Sequence, residues 1–356
     1  MPYLFFFAFS LLFFLRAWRE GRARDSLWFA LSAAAAVATK DQAFALYVLT
    51  VPALGWRLAG HAPAHRPRVL ALLGAAGLLA FAVLSGALVN PRGWLDHLRL
   101  IAGPASAGFR MFDRGLAGRL ELLVQAARHL VFVLGWPSLI ASAAGFALVR
   151  RDRGRPRAVL AALIPAVSYV LFFLLVVLYV YDRFLLPVAV VLALLGGHAL
   201  ASAVRSRSTA ARVAAAAVLL FGLARAASVD VLLTRDSRYG VEDWLRREVG
   251  PGPVVAAVGP LEYLPRLDGL AWRRLGPSPG RLAQVHPDLV VVNADYARRA
   301  DPGTGERAFY AALEDGSAGY AVALRRRAAP RTLIDVDALR REDGGRLWSN
   351  LDKIDP

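Results

Sequence analysis

The chain has 356 residues, 57% of them hydrophobic, with a mean hydropathy of +0.44; this apolar share exceeds that of an ordinary soluble domain, so part of the chain is built to face lipid. It contains no cysteine, which excludes disulfides, thiolate metal sites and cysteine nucleophiles. The net charge of +16 sits entirely in residues 1–227, where 24 basic side chains face eight acidic ones, whereas residues 228–356 carry 19 of each; short basic clusters between apolar runs exclude the basic stripe of a nucleic-acid binder.

A helix needs about 20 apolar residues to cross a bilayer. Residues 2–15 (PYLFFFAFSLLFFL) are short for that purpose but run into the basic RAWREGRAR. No basic stretch precedes them and no small-residue cleavage site follows, so they do not read as a signal peptide. The interval 27–56 holds two apolar stretches, 27–38 and 43–56, interrupted by Thr39-Lys40-Asp41-Gln42. It reads as a short hairpin that leaves the chain on the side where it entered. Segments 69–89, 158–180, 184–204 and 210–227 are each long enough to span. Segment 120–149 is longer, so Glu121, Gln125 and Arg128 are expected to rise out of the hydrocarbon, with a kink at Trp136-Pro137. Within the stretch 90–119, Trp94, Leu95, Leu98 and Ile101 alternate with His97 and Arg99 in an amphipathic pattern suited to the interface, followed by a flexible GPASAG. The expected total is about six to eight membrane helices, hairpin included.

Arginine placement orients these segments. With a hairpin at 27–56, the connections 16–24, 57–68, 150–157 and 205–212 share one side and collect 15 arginines. The opposite side has Lys40, five arginines within 90–119, Arg183 and Arg225. The positive-inside rule puts the denser side in the cytoplasm. A single broken helix at 27–56 would require RRDRGRPR at 150–157 to be translocated. Under this map Met1, the stretch 90–119 and everything after residue 227 lie outside, and a chain starting with an outside-to-inside span is expected to continue upstream.

From Ser228 onward charge is balanced and turn residues separate short β-rich runs. Residues 238–249 (RYGVEDWLRREV) have helical spacing, 254–258 (VVAAV) and 289–293 (LVVVN) read as strands covered on both faces, 306–314 suits a helix and 319–324 (GYAVAL) a further strand. The alternation implies a small parallel or mixed sheet. The fold class is therefore a polytopic α-helical membrane domain over 1–227 followed by a small extracytoplasmic α/β domain over 228–356. No glycine-rich dinucleotide or P-loop motif follows a strand. Glu262-Tyr263 falls at a carboxyl-terminal strand end, where α/β ligand sites lie, although a plain surface turn is the commoner use of such a dipeptide.

Ionisable groups at membrane depth are costly and mark candidate sites. Lys40 interrupts an apolar helix pair beside Asp41 and Gln42, where an ammonium suits a lipid-linked phosphate; the plainer alternative is a Lys40–Asp41 pair that only caps the turn. Arg183 lies in the tight corner Tyr179-Val180-Tyr181-Asp182-Arg183-Phe184, where a guanidinium suits bidentate phosphate contact and the alternative is a local pair with Asp182. His97 is a candidate base or substrate contact. His129 and His198 have no second ligand at metal spacing, so no metal or cofactor is expected.

Several of these stretches resemble one family. AAAAVATKDQAFALYVLTVPAL resembles the lysine-centred element of the family 39-like glycosyltransferases, which include relatives of protein O-mannosyltransferases and aminoarabinose transferases, and DRFLLPVAVVLALLGG resembles their arginine-led helix start. NPRGWLDHLRLIAGPAS looks like the outer loop between, and DSRYGVEDWLRREVGPGPVVAAVGPLEYLPRL with SNLDKIDP looks like the soluble tail of a bacterial subgroup. The resemblance implies a GT-C fold in a bacterial inner membrane, transferring a sugar from a polyprenyl-phosphate donor to an acceptor glycan, lipid or protein on the outer face. It puts Lys40 and Arg183 at the donor phosphate, with Asp41, Gln42, His97, Tyr181 and Asp182 around the substrate cavity. The family's general-base aspartate lies in a first outer loop with no counterpart in this sequence, so two expectations stand: a chain that begins at Met1 is inactive or needs a partner, whereas a piece of a longer chain is an active enzyme whose base lies upstream. The alternative is a non-catalytic membrane assembly subunit whose exterior domain binds a partner. A transporter is disfavoured because the broken segment at 39–42 has no repeated counterpart.

Overall fold

The computed structural model describes residues 2–60, 67–103, 110–151, 155–297, 300, 303–327, 334–335 and 338. The chain divides into two compact units, Met1–Leu219 and Leu220–Pro356. The helix Thr209–Thr234 runs through that division.

In the first unit, α1 (Pro2–Glu20) extends past its apolar run to take in Arg16 and Arg19. It ends at Gly21, whose φ of 65° is a left-handed stop that glycine takes without strain. α2 (Ala23–Thr39) packs back along it, with Phe14 against Phe29 and Phe13 stacked on Trp28. Lys40 is extended, Asp41–Leu46 form a 3-10 turn, and α3 (Thr50–Ala59) follows. Arg57 Nε donates to the Trp18 carbonyl at 3.3 Å, and its guanidinium lies over the Trp18 ring. The chain thus returns to the end of the bundle where α1 finished, and the interval is a hairpin.

Non-helical backbone at this depth needs partners. Ser168 supplies two: its Oγ donates to the Ala45 carbonyl at 2.5 Å and accepts from the Leu49 N–H at 3.0 Å. Ser10 Oγ and the Tyr47 hydroxyl share a further bond of 2.7 Å. Polar side chains on neighbouring helices thereby replace the hydrogen bonds that the break removes.

Beyond the hairpin come α4 (Pro67–Leu84), the amphipathic α5 (Pro91–Ala102), α6 (Leu116–Leu134), α7 (Trp136–Arg151), α8 (Leu163–Tyr169), α9 (Leu186–Arg205) and α10 (Thr209–Thr234). α8 continues through a π-turn at Val170–Leu174 to Val177. Asn90 caps α5 by accepting from the Gly93 N–H at 3.0 Å. Five helices among the described residues are long and apolar enough to span: Pro2–Glu20, Pro67–Leu84, Val159–Val177, Leu186–Arg205 and Thr209–Val249; a sixth is counted if α6 and α7 form one broken span.

The expected single span over 120–149 is corrected in form. α6 and α7 meet at 106°, and the junction is Gly135, at a φ of 74°. Pro137 sits in the first turn of α7, where a missing N–H costs nothing. Gln125, expected near water, is buried against the protein, while Glu121 and Arg128 are exposed. The GPASAG stretch lies, beyond Gly103, outside the described residues, as do SNLDKIDP and most of the tail after 327.

The second unit contains a three-stranded, all-parallel sheet in the order β2-β1-β3. The strands are β1 (Val254–Val258), β2 (Ala271–Leu275) and β3 (Leu289–Val292). β1 is central and covered on both faces: Val255 and Ala257 join Leu245, Leu264 and Val291, whereas Ala256 and Val258 join Leu275, Leu282 and Phe309. Helices α11 (Ser237–Trp244), α12 (Pro279–Val285), α13 (Ala294–Ala297) and α14 (Gly305–Asp315) surround the sheet. Two strand expectations change. β2 (AWRRL) is an edge strand exposed at four of its five positions, so its paired arginines hide it from an apolar-run reading. The stretch 319–324 forms no strand; the Tyr320 hydroxyl anchors it to the Pro287 carbonyl at 2.8 Å, and Val322 stays exposed without a facing layer.

Candidate functional site

One end of the first unit gathers most of the sequence candidates. α2 and the 3-10 turn bring Lys40, Asp41 and Gln42 there, α5 brings His97, and the corner between α8 and α9 brings Tyr181, Asp182 and Arg183. Tyr3, which no motif singled out, joins them: its hydroxyl accepts from buried Gln42 Nε2 at 3.4 Å and donates to the Arg183 carbonyl at 3.4 Å.

The local pairings differ from the plain alternatives. Asp41 does not pair with Lys40; its Oδ1 lies 3.0 Å from His97 Nε2, with both side chains about half exposed. The exposed Lys40 has no ion-pair or hydrogen-bond partner for its ammonium among the described residues. Asp182, the first residue of the short turn Asp182–Phe184, accepts from the backbone N–H of Arg183 at 2.5 Å. The Arg183 guanidinium lies over the Tyr181 ring at 4.8 Å and the Phe184 ring at 5.5 Å. Its Nε is buried with no hydrogen-bond partner among the described residues. The aromatic faces fix the guanidinium while leaving its donors unspent.

Beside this corner the structure opens a cavity of about 340 Å³, lined by Arg110, Arg114 and Arg119 together with Leu171, Leu175, Val176 and Leu178. Leu178 has left-handed backbone (φ 55°), and its carbonyl takes the N–H groups of Met111 (3.0 Å) and Phe112 (3.3 Å), tying the arginine segment to the corner. The side chains of all three arginines have no ion-pair or hydrogen-bond partner among the described residues, and the Arg110 Nε is buried. Leu171 and Val176 are exposed on the bundle surface. Cations facing an apolar wall form a place for an anionic head group on a hydrocarbon chain.

These arginines appear in the sequence only as loop charges; the available signal was their density around a lone carboxylate, Asp113. His129 is buried, with Nδ1 2.8 Å from the Gln125 carbonyl oxygen, and no group of three metal-ligating side chains occurs among the described residues. In the second unit, Glu262 is exposed and its carbonyl accepts from Arg238 at 2.8 Å; Tyr263 packs on Tyr296. Comparisons with family models, curated proteins and solved structures returned no match to this chain.

Proposed function

We propose that the chain binds a polyprenyl-phosphate-linked sugar at the Tyr179–Leu185 corner and serves glycosyl transfer to an acceptor hydroxyl on that membrane face. The observation that carries this reading is the set of cations without carboxylate partners at one bundle end. Lys40, Arg110, Arg114 and Arg119 are unpaired among the described residues, the Arg183 guanidinium is poised over aromatic rings, and apolar surface beside them suits an isoprenoid chain. In the reaction, the acceptor oxygen attacks the anomeric carbon as the bond to the phosphate oxygen breaks. The cations stabilise the charge that develops on the leaving polyprenyl phosphate. Asp41 and His97 are the carboxylate–imidazole pair that the described residues offer on this face, and they are assigned to the acceptor side. On this reading the positive-inside rule keeps the arginine-dense connections in the cytoplasm, which supports an outward-facing corner in a bacterial inner membrane and an extracytoplasmic second unit. The acceptor is a lipid, glycan or protein hydroxyl.

The test compares membranes carrying the wild-type chain, Lys40→Ala and Arg183→Ala for transfer of radiolabel from polyprenyl-phosphate sugars. Retention of undecaprenyl phosphate by the purified protein supplies a readout that does not need turnover. Both substitutions are expected to lower retention and transfer about tenfold or more. Equal retention by all three proteins would remove these residues from any phosphate site.

A further inference from the structure

The parallel sheet of the second unit carries a second candidate site, independent of the membrane corner. All three strands direct their carboxyl ends toward one cavity of about 350 Å³, open on one side. Gly259 follows β1 with a φ of +117°, a conformation that L side chains rarely adopt, and leaves the strand end bare. Arg274 is the penultimate residue of β2, Arg281 follows on α12, Tyr296 follows β3, and Glu306 with Tyr310 come from α14. With the order β2-β1-β3 the chain steps from β1 to β2 on one side and then crosses back past β1 to β3 on the other, and such reversals are where open α/β sheets place ligands.

The cavity is chemically unfinished. Arg274 and Arg281 have no ion-pair or hydrogen-bond partner for their guanidinium groups among the described residues. Tyr310 is 6% exposed, and its hydroxyl has no hydrogen bond of ordinary geometry among the described residues, the Glu306 carboxylate being the polar group that acts on it. A buried hydroxyl without a well-made hydrogen bond is costly, which favours a ligand that supplies one. Tyr296 is held in place: its N–H donates to Asn293 Oδ1 at 2.7 Å, and Asn293 Nδ2 donates to the Tyr263 carbonyl at 3.1 Å. A fixed aromatic face, two free guanidinium forks, one hydroxyl and one carboxylate acceptor therefore converge on a space near the small end of the ligand-pocket range.

We propose that this cavity binds a sugar-sized, hydroxyl-bearing anion, its carboxylate or phosphate held by Arg274 and Arg281 and its hydroxyls shared between Glu306 and Tyr310. Guanidinium forks match either oxyanion in bidentate fashion. The ring of such a ligand packs on Tyr296. Neutral sugars lack the anchor, and inorganic phosphate lacks the hydroxyls and the ring.

The test is calorimetric titration of the full chain in detergent with glucuronate, glucose 6-phosphate, glucose and inorganic phosphate. Saturable binding is expected for at least one of the two acidic sugars, about tenfold tighter than for inorganic phosphate and absent for glucose. Preference for glucuronate identifies a carboxylate ligand, and preference for glucose 6-phosphate a phosphate ester. Arg281→Gln, on an exposed helix position, is expected to weaken binding about tenfold. Arg273→Gln, which removes the same charge one residue earlier on β2, is expected to leave it unchanged. No saturable binding of either acidic sugar overturns the proposal, as does an equal loss in Arg281→Gln and Arg273→Gln.

Discussion

Replacing Gly145 with alanine probes the closest helix crossing in the first unit. An added methyl would lie 1.9 Å from the Leu195 carbonyl oxygen and 2.6 Å from its carbonyl carbon, both backbone atoms that cannot rotate aside. Ordinary contact begins near 3.4 Å, so α7 and α9 must part by about 1.5 Å. That movement also pulls on the bond from Ser142 Oγ to the Leu192 carbonyl, now 2.8 Å long. Small residues at membrane helix crossings exist to permit such backbone approach. Overpacking of this kind costs about 1–3 kcal/mol, and the better helix propensity of alanine returns about 1 kcal/mol. A net destabilisation of up to about 2 kcal/mol is expected. Gly197→Ala, on the same α9 with nothing within 4 Å of the new methyl, is expected to be neutral or stabilising by up to about 1 kcal/mol. Denaturation in mixed detergent micelles, followed by far-ultraviolet circular dichroism, compares the two. Coincident curves for Gly145→Ala and Gly197→Ala would show that α7 and α9 do not cross at this point.

Three further outcomes are expected. Ser168→Ala leaves the Ala45 carbonyl and the Leu49 N–H without their side-chain partner, so it should destabilise the first unit by about 1–3 kcal/mol in the same denaturation assay; an unchanged midpoint would mean that the hairpin does not depend on this bond. Glu242→Ala removes a buried carboxylate that accepts the Arg266 N–H at 2.9 Å and its guanidinium at 2.8 Å, and about 1–3 kcal/mol of loss is expected, read by hydrogen exchange over 254–292. Burial first, and the Glu306 carboxylate next, push the Tyr310 phenol well above its usual range. A raised folded-state value means that its contribution is present below the unfolded value of about 10 and is lost as the pH rises beyond it. Tyr310→Phe should therefore lose less stability than wild type between about pH 8 and pH 11, measured by urea unfolding, and parallel losses would contradict the buried placement.

Legibility followed the range of the interactions. α4, α8 with its continuation to Val177, α9 and α10 were visible because a lipid-facing helix is specified by its own apolar length. β1 and β3 were visible because strands covered on both faces read as unbroken apolar runs. β2 was hidden because an edge strand need not be apolar. The expected strand at 319–324 failed because strand formation needs a neighbouring edge, and its alternation cannot provide one.

The site divided in the same way. Composition, charge segregation and apolar run length determined by themselves that the chain carries several helices long and apolar enough to span a membrane and a charge-balanced α/β part, since each depends on residues close together in the chain. Which groups meet was decided only by tertiary structure. Asp41 turned to His97, 56 positions away, rather than to its neighbour Lys40, and Tyr3 came to bridge Gln42 and Arg183. Arg110, Arg114 and the helical Arg119 came to line one cavity with Leu178, whose left-handed backbone aims a carbonyl at Met111 and Phe112. Such contacts are set by how helices cross and where strands end, and no local stretch of sequence carries that geometry.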